Sequence, residues 1–391
     1  MKSKFWNNNF IKVVSANLLL ALPFYILIVV LPLYIKDGLG VPEKQIGIIL
    51  SMYSFAAVLM RPITGYLLDN FNRKVIYLLG FALYTICIVL YPLVGSALMV
   101  GILRFAHGLG WGGVSSSGST LAIDFVPKHR RGEGIGIFGM SMTVATMIGP
   151  MLGSAIYRWT GDFPTVFIIS FFLSAMAFAI GCSLRIPKTP QKRSPLELKN
   201  FFSKKAFPAS LLALWSHMPY GFVLGFIALY AATLDGADSG LFFLIYAMMA
   251  FVGRYAAGRI FDVRGPRLLM LIGTILTALG FIALAQFSSK MGLYVGAIPI
   301  GLGFGTMMNV TQSMANHGVP ISERGRANST YLMLFDVGIG LGIFLFGQII
   351  GQFGYQTSIY VSVSIVLSSL LVFFLYALPA YYKHPNVSRV I

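Results

Sequence analysis

Four ionisable side chains stand inside long apolar stretches of this 391-residue chain, and each could do chemistry there: Arg104, His107, His217 and Asp336. Charged groups at such positions cost on the order of 2.5–3.5 kcal/mol on membrane-insertion scales, so they usually mark a path for a substrate or a proton. Asp336 is the clearest carboxylate of this kind, and reversible protonation or binding of a cationic substrate would use it; a static pairing with a basic neighbour is the rival reading. Arg104 lies about eight residues, hence roughly 12 Å, from one end of its stretch. With His107 one turn on, it suits a proton or substrate path, unless Arg104 snorkels to the interface and His107 is a satisfied core histidine. His217, within Trp215-Ser-His217-Met-Pro219-Tyr220, is read first as structural and second as a ligand. Depth and side-chain type add Asn17, Tyr25, Trp111, Met140, Tyr220 and Phe335 as cavity-lining candidates, although aromatic and Met residues at such positions more often pack.

The elements that must position these residues are membrane helices. The chain is 57% hydrophobic and 10% charged, with mean hydropathy +0.79, whereas soluble domains carry about 25% charged residues. A bilayer core needs about 20 apolar residues per helix. That ruler gives spans near 12–35, 45–69, 75–94, 97–125, 134–157 and 164–185, then 207–233, 240–262, 267–287, 291–317, 327–350 and 356–380. The expected fold is an all-α membrane protein of 12 transmembrane helices. Residues 1–185 would form an N-terminal six-helix bundle, 186–206 a cytoplasmic linker and 207–391 a C-terminal six-helix bundle.

A formal net charge of +17, from 29 Lys+Arg against 12 Asp+Glu, would suggest nucleic acid in a soluble protein. Here the basic residues gather in every second loop, at the N-terminus and in the middle linker, so the positive-inside rule puts both termini in the cytoplasm of a bacterial-type inner membrane. No nucleic-acid partner is expected. Cys87 and Cys182 lie in apolar runs without CxxC or His-rich spacing, which reads as packing with no metal and no disulfide.

The two halves repeat each other. Gly65-Tyr-Leu-Leu-Asp69-Asn-Phe-Asn-Arg73-Lys74 recurs as Gly258-Arg-Ile-Phe-Asp262-Val-Arg-Gly-Pro-Arg267, an offset of 258 − 65 = 193 residues. Arg61 and Arg254 share the offset, as do Pro127 to Gly132 with Pro320 to Gly325, and Gly108, Gly110 and Gly112 with Gly301, Gly303 and Gly305. A duplicated helical bundle with a transport path between its halves is the architecture such internal repeats imply.

These motifs resemble those of the major facilitator superfamily over nearly the whole chain. The loop pattern G-x-L-x-D-x-x-x-R-[KR] is matched by Gly65, Leu67, Asp69, Arg73 and Lys74, and in the second copy by Gly258, Asp262 and Arg267; Asn72 departs where the family commonly has glycine. The resemblance implies the major facilitator fold, two pseudo-symmetric six-helix bundles. It also implies a cytoplasmic latch in which Asp69 meets the start of span 11 near Gly325 and Arg326, Arg73 reaches Asp124, and Arg61, Arg254 and Asp262 belong to the same gate. R-x-x-[QH]-G is matched by Arg104, His107 and Gly108. Gly149-Pro150-x-x-Gly153 resembles the glycine–proline motif of the drug:proton antiporter branch, where a kinked helix seals against span 8; as a bare kink it would be structural.

Gly134-Ile-Gly136-Ile-Phe-Gly139 fits G-x-G-x-x-G but follows a basic membrane loop instead of a strand, so a dinucleotide site is not expected, and no Walker A lysine pattern occurs. Asn309-Val-Thr311 and Asn328-Ser-Thr330 are chance glycosylation matches in or beside membrane helices. The reading is a secondary transporter, not an enzyme, acting as a monomer without cofactor. It would export a small, amphipathic, drug-like compound by alternating access, driven by a proton gradient. Its rivals are an exporter of a polar metabolite, sugar or opine-like metallophore, a uniporter, and a lipid flippase or nontransporting sensor.

Overall fold

Within lipid every backbone N–H and C=O must find an internal partner, which leaves helices as the form for long apolar segments. The computed structural model describes residues 5–127, 130–186, 202–317, 319–320 and 324–383. The linker expected at 186–206 therefore falls largely outside the described residues, as do the side chains of Asp262 and Arg324.

The described residues form α1 (Asn8–Leu33), α2 (Glu43–Asn70), α3 (Arg73–Leu90), α4 (Ala97–Phe125), α5 (Arg131–Thr160) and α6 (Phe163–Cys182). They continue as α7 (Phe207–Ala232), α8 (Ser239–Arg264), α9 (Pro266–Gln286), α10 (Lys290–Asn316), α11 (Arg324–Val372) and a short α12 (Leu378–Tyr382). Short polar side chains start several of them. Asn7 accepts from Phe10 N–H, Ser96 from Met99 N–H, Asp162 from Thr165 N–H and Ser289 from Gly292 N–H, each satisfying one of the first turn's orphan donors.

Eleven helical stretches among the described residues are long and apolar enough to cross a membrane. The sequence leads one to expect twelve, and the difference lies in α11. At 49 residues it would be roughly 74 Å long if straight, more than twice a bilayer core. It is broken at Gly354, the one residue inside it with non-helical angles, φ 80° and ψ 176°. The helix resumes at once, so spans 11 and 12 are two arms, 324–353 and 355–372, joined by a single residue in place of a loop. A π-turn at Phe373–Ala377 leads the second arm into α12. Side chains are excluded from that region of φ/ψ at a cost of about 1–3 kcal/mol. Gly354→Ala is accordingly expected to lower the melting temperature by several degrees in detergent, although a Cβ there has open space.

By internal packing the chain divides into two units. The first holds Met1–Val41 and Met52–Leu196, the second Pro42–Ser51 and Glu197–Ile391. In the first unit α1 packs on α5 and α6, and α3 on α4 and α6; in the second α7 packs on α11, α8 on α10, and α9 on α10 and α11. The start of α2 groups with the second unit because Gly47 lets backbones meet. A Cβ on Gly47 would come 2.8 Å from Gly347 Cα, and Gln348 Nε2 donates to the Lys44 carbonyl at 3.2 Å.

The 193-residue offset governs contacts as well as sequence. Gly108 abuts the Tyr53 carbonyl and Gly301 the Tyr246 carbonyl; Gly112 abuts Ala57 and Gly305 abuts Ala250. A Cβ on Gly110 would lie 2.7 Å from Tyr84 N, and one on Gly303 2.7 Å from Thr277 N. In every pair both partners are displaced by the same offset. Each unit thus closes α4 or α10 onto its neighbours through the same glycine face, where small residues let backbones approach.

Candidate functional site

In the first unit α4 carries Arg104 and His107 roughly 12 and 16 Å along its length, and both are buried, at 8% and 0% exposure. Among the described residues no carboxylate pairs with Arg104. Its guanidinium carbon instead lies 4.3 Å from the ring centroid of Tyr53 on α2, a desolvated cation–π contact worth about 2 kcal/mol. The charge of Arg104 acts on the hydroxyl of Tyr91, which lies 3.1 Å from His107 Nδ1. His107 Nε2 and Arg104 Nε are both buried without a hydrogen-bond partner. The cluster is an unsatisfied guanidinium donor beside an unsatisfied imidazole nitrogen inside a ring of π faces, suited to a polar ligand group or a migrating proton.

Aromatic neighbours fix the pair. Phe24 stacks on Tyr53 at 5.3 Å and on Trp111 at 4.9 Å, while Tyr84 meets His107 at 4.4 Å and donates to the Leu20 carbonyl at 3.1 Å. Tyr34 donates to the Val94 carbonyl at 3.0 Å, securing the turn that presents Tyr91. Sequence reasoning missed Tyr53, Tyr84 and Tyr91 because they do not titrate in the usual range. The repeat offset was the available signal for the first, since Tyr53 maps onto Tyr246.

The second unit presents a different cluster. His217 is 2% exposed, with Nδ1 3.0 Å from the Ala213 carbonyl and 3.0 Å from Ser216 Oγ. Its ring lies 4.9 Å from Phe335 and 5.6 Å from Phe304. Tyr220 contacts Phe304 at 5.4 Å and stacks on Tyr246 at 5.7 Å. Asp336, next to Phe335 on α11, is half-buried, and its charge and that of Arg254 both act on the Tyr331 hydroxyl. Arg254 donates to Gln312 Oε1 at 2.9 Å, and Gln312 Nε2 to Asn328 Oδ1 at 3.2 Å. Asn328, dismissed above as a chance glycosylation match, is thus the end of a polar chain from Arg254.

The remaining candidates are placed as follows. Asn17 is buried and donates to Ser141 Oγ at 2.8 Å, a bond tying α1 to α5 instead of a free lining position. Trp111 is 6% exposed under Phe24, whereas Met140 is 53% exposed, and Tyr25 packs on Gly149. Gly149 abuts Tyr25 and Leu22, and Gly153 abuts Ile26. Within the first unit the small face of Gly149-Pro150-x-x-Gly153 is therefore packed against α1. Pro150 lies inside an unbroken α5.

At the gating loops Arg73 forms an ion pair with Asp124 through Nη1 and donates from Nε to the Leu68 carbonyl at 3.3 Å. Asp69 is exposed at the end of α2, and Arg61 half-buried. Gly65 has open space around it, and the nearest atom to a Cβ on Gly258 is Asn309 Nδ2 at 3.6 Å. Asn72 resolves its departure from the family pattern by capping α3. It keeps φ −66° and accepts from Lys74 N–H at 2.9 Å. Its repeat-equivalent Gly265 uses φ 66° with no side-chain cap, so the two copies turn the same corner by different chemistry.

Comparison with known proteins agrees with this architecture. The Major Facilitator Superfamily sequence pattern matches residues 13–234 and again 206–390. The multi-drug resistance efflux pump PmrA of Streptococcus pneumoniae is 25% identical over 94% of this chain and 93% of its own. The staphylopine export protein of Staphylococcus aureus is 24% identical over 90% and 91%. A bacterial homologue of the human lysosomal transporter Spinster, solved inward-facing and occupied, superposes with a TM-score of 0.82 at 16% identity, over 96% of this chain and 97% of that one. With the helices, the internal repeat and the pattern matched in both halves, the chain belongs to the Major Facilitator Superfamily and is an integral membrane transporter, not an enzyme.

Proposed function

We propose that the protein exports a small organic compound by alternating access, coupled to inward movement of protons, in an inner membrane with both termini cytoplasmic. One observation carries the reading. The repeat-equivalents of Arg104 and His107 are Ala297 and Ile300, both fully buried in the same helix position of the second unit. The scaffold therefore packs there without any polar group. A buried cation and an imidazole, each with an unsatisfied nitrogen, are retained in one half at a cost in stability, as expected for asymmetric chemistry on a duplicated frame. The efflux-pump relative supports export, and the basic loops support the orientation.

Asp336 is the proposed coupling carboxylate. A membrane potential supplies about 2.3 kcal/mol per charge per 100 mV, enough for roughly 50-fold accumulation of a neutral substrate exchanged for one proton. In proteoliposomes with an imposed proton gradient, the intact protein is expected to concentrate its substrate, and Asp336→Asn only to equilibrate it. Concentration by the variant would remove Asp336 from that role.

A second reading, export of a carboxylate-bearing metabolite or metallophore, is favoured by the unsatisfied guanidinium donor of Arg104 and by likeness to the staphylopine export protein. A screen of anionic against cationic amphipathic compounds in the same proteoliposomes separates the two.

A further inference from the structure

His217 stands at the repeat position of Phe24, and the pair separates what the scaffold needs from what the histidine adds. Phe24 stacks on Trp111 and Tyr53. His217 lies against Phe304, the equivalent of Trp111, within an aromatic group that includes Tyr246, the equivalent of Tyr53. A phenyl ring serves this packing in the first unit. The imidazole brings two buried nitrogens, and one of them, Nε2, has no hydrogen-bond partner. An unsatisfied buried polar atom is destabilising.

The state of that atom follows from its partner across the ring. The Ala213 carbonyl can only accept, so the proton of a neutral His217 resides on Nδ1. Nε2 is left as a bare lone pair. A lone pair rejects carboxylates and carbonyls and requires an N–H or O–H. The rings of Phe335 and Phe304, 4.9 and 5.6 Å from the imidazole, offer π systems that attract a cation.

We propose that His217 Nε2 is the hydrogen-bond acceptor of a site in the second unit for a protonated amine, whose N–H meets the lone pair and whose charge rests against the surrounding rings. Nε2 is enclosed in this structure. Entry would turn Phe335, which at 8% exposure is less enclosed than Phe304 at 2%. The inference deepens the export reading and rests on it for the compound's route, while binding can be measured without transport.

The test uses the full chain in lipid nanodiscs with two probes, 4-phenylbutylamine and its trimethylammonium counterpart, titrated calorimetrically. Both are cations with the same apolar tail, and only the first has N–H groups. The intact protein is expected to bind the amine about tenfold more tightly. His217→Phe should bring the two affinities together by weakening the amine alone. His217→Gln, which keeps an acceptor oxygen, should retain part of the preference. Equal affinities in the intact protein, no binding of the amine, or an undiminished preference in His217→Phe would overturn the proposal. Failure of proton-driven transport with the amine preference intact would instead count against the export reading.

Discussion

Replacing Arg104 by methionine is expected to abolish proton-driven transport while leaving the protein as stable as before. The long apolar side chain fills much the same volume, so no large cavity opens. Removing the charge gives up a cation–π contact of about 2 kcal/mol. It also removes a burial cost of about 2.5–3.5 kcal/mol and the unsatisfied Nε. These terms nearly cancel, leaving a net change of roughly 1 kcal/mol that favours the variant if anything. A residue kept for folding would show the opposite pattern. Function should respond far more strongly, since the cation that acts on the Tyr91 hydroxyl beside His107 is lost. In proteoliposomes under an imposed proton gradient, accumulation should fall to unity, with the melting temperature within a few degrees of the parent. Equal losses of stability and transport would return Arg104 to a structural role. If the compound is a carboxylate, its binding should disappear together with its transport; if it is a cation, binding should survive. The same variant thereby chooses between the two substrate classes.

How much of this was legible beforehand depended on whether a residue acts through its own type or through its partners. Arg104, His107 and Asp336 declare themselves because charge inside an apolar run is costly whatever surrounds it. The duplication is equally plain, since glycines at one offset require only counting. Tyr53 and Tyr91 were not recognised, because a tyrosine in an apolar helix gains its role only when a guanidinium lies over its ring or an imidazole meets its hydroxyl. His217 was read as structural for the same reason, as its tautomer is fixed by a backbone carbonyl four residues earlier. Gly354 sits where Gly351-Gln-Phe-Gly354-Tyr-Gln suggests a loop, and only the backbone angles show that one residue suffices to break the helix. The glycine–proline motif carries a different lesson. Its residues establish a small face, but which helix fills it is a matter of packing, and α1 does so.

The duplicated glycine faces yield the largest expected loss of stability. A methyl added at Gly305 would run into the Ala250 carbonyl, with Ala250 C and Cα each 2.8 Å away. All three atoms are backbone of α8 and cannot swing aside as a side-chain tip would. At Gly112 the same methyl would lie 2.6 Å from the Ala57 carbonyl oxygen and 3.1 Å from Ala57 Cα. Overpacking of this kind costs about 1–3 kcal/mol and more where the neighbour is rigid. Alanine otherwise favours a helix over glycine by about 1 kcal/mol, so position decides the sign. Gly139, on α5, has nothing within 4 Å of its Cβ direction and supplies the control. Gly305→Ala and Gly112→Ala are each expected to lower the thermal midpoint by several degrees in detergent, Gly305→Ala the more because its clash is closer, with Gly139→Ala unchanged or slightly higher. Replacement by leucine at either buried position should prevent recovery of folded protein. Melting followed by helix circular dichroism, with size-exclusion profiles as a check on aggregation, reads all five variants. Tolerance of alanine at both Gly112 and Gly305 would mean that close approach is incidental, and the offset shared by their contacts would lose its physical basis.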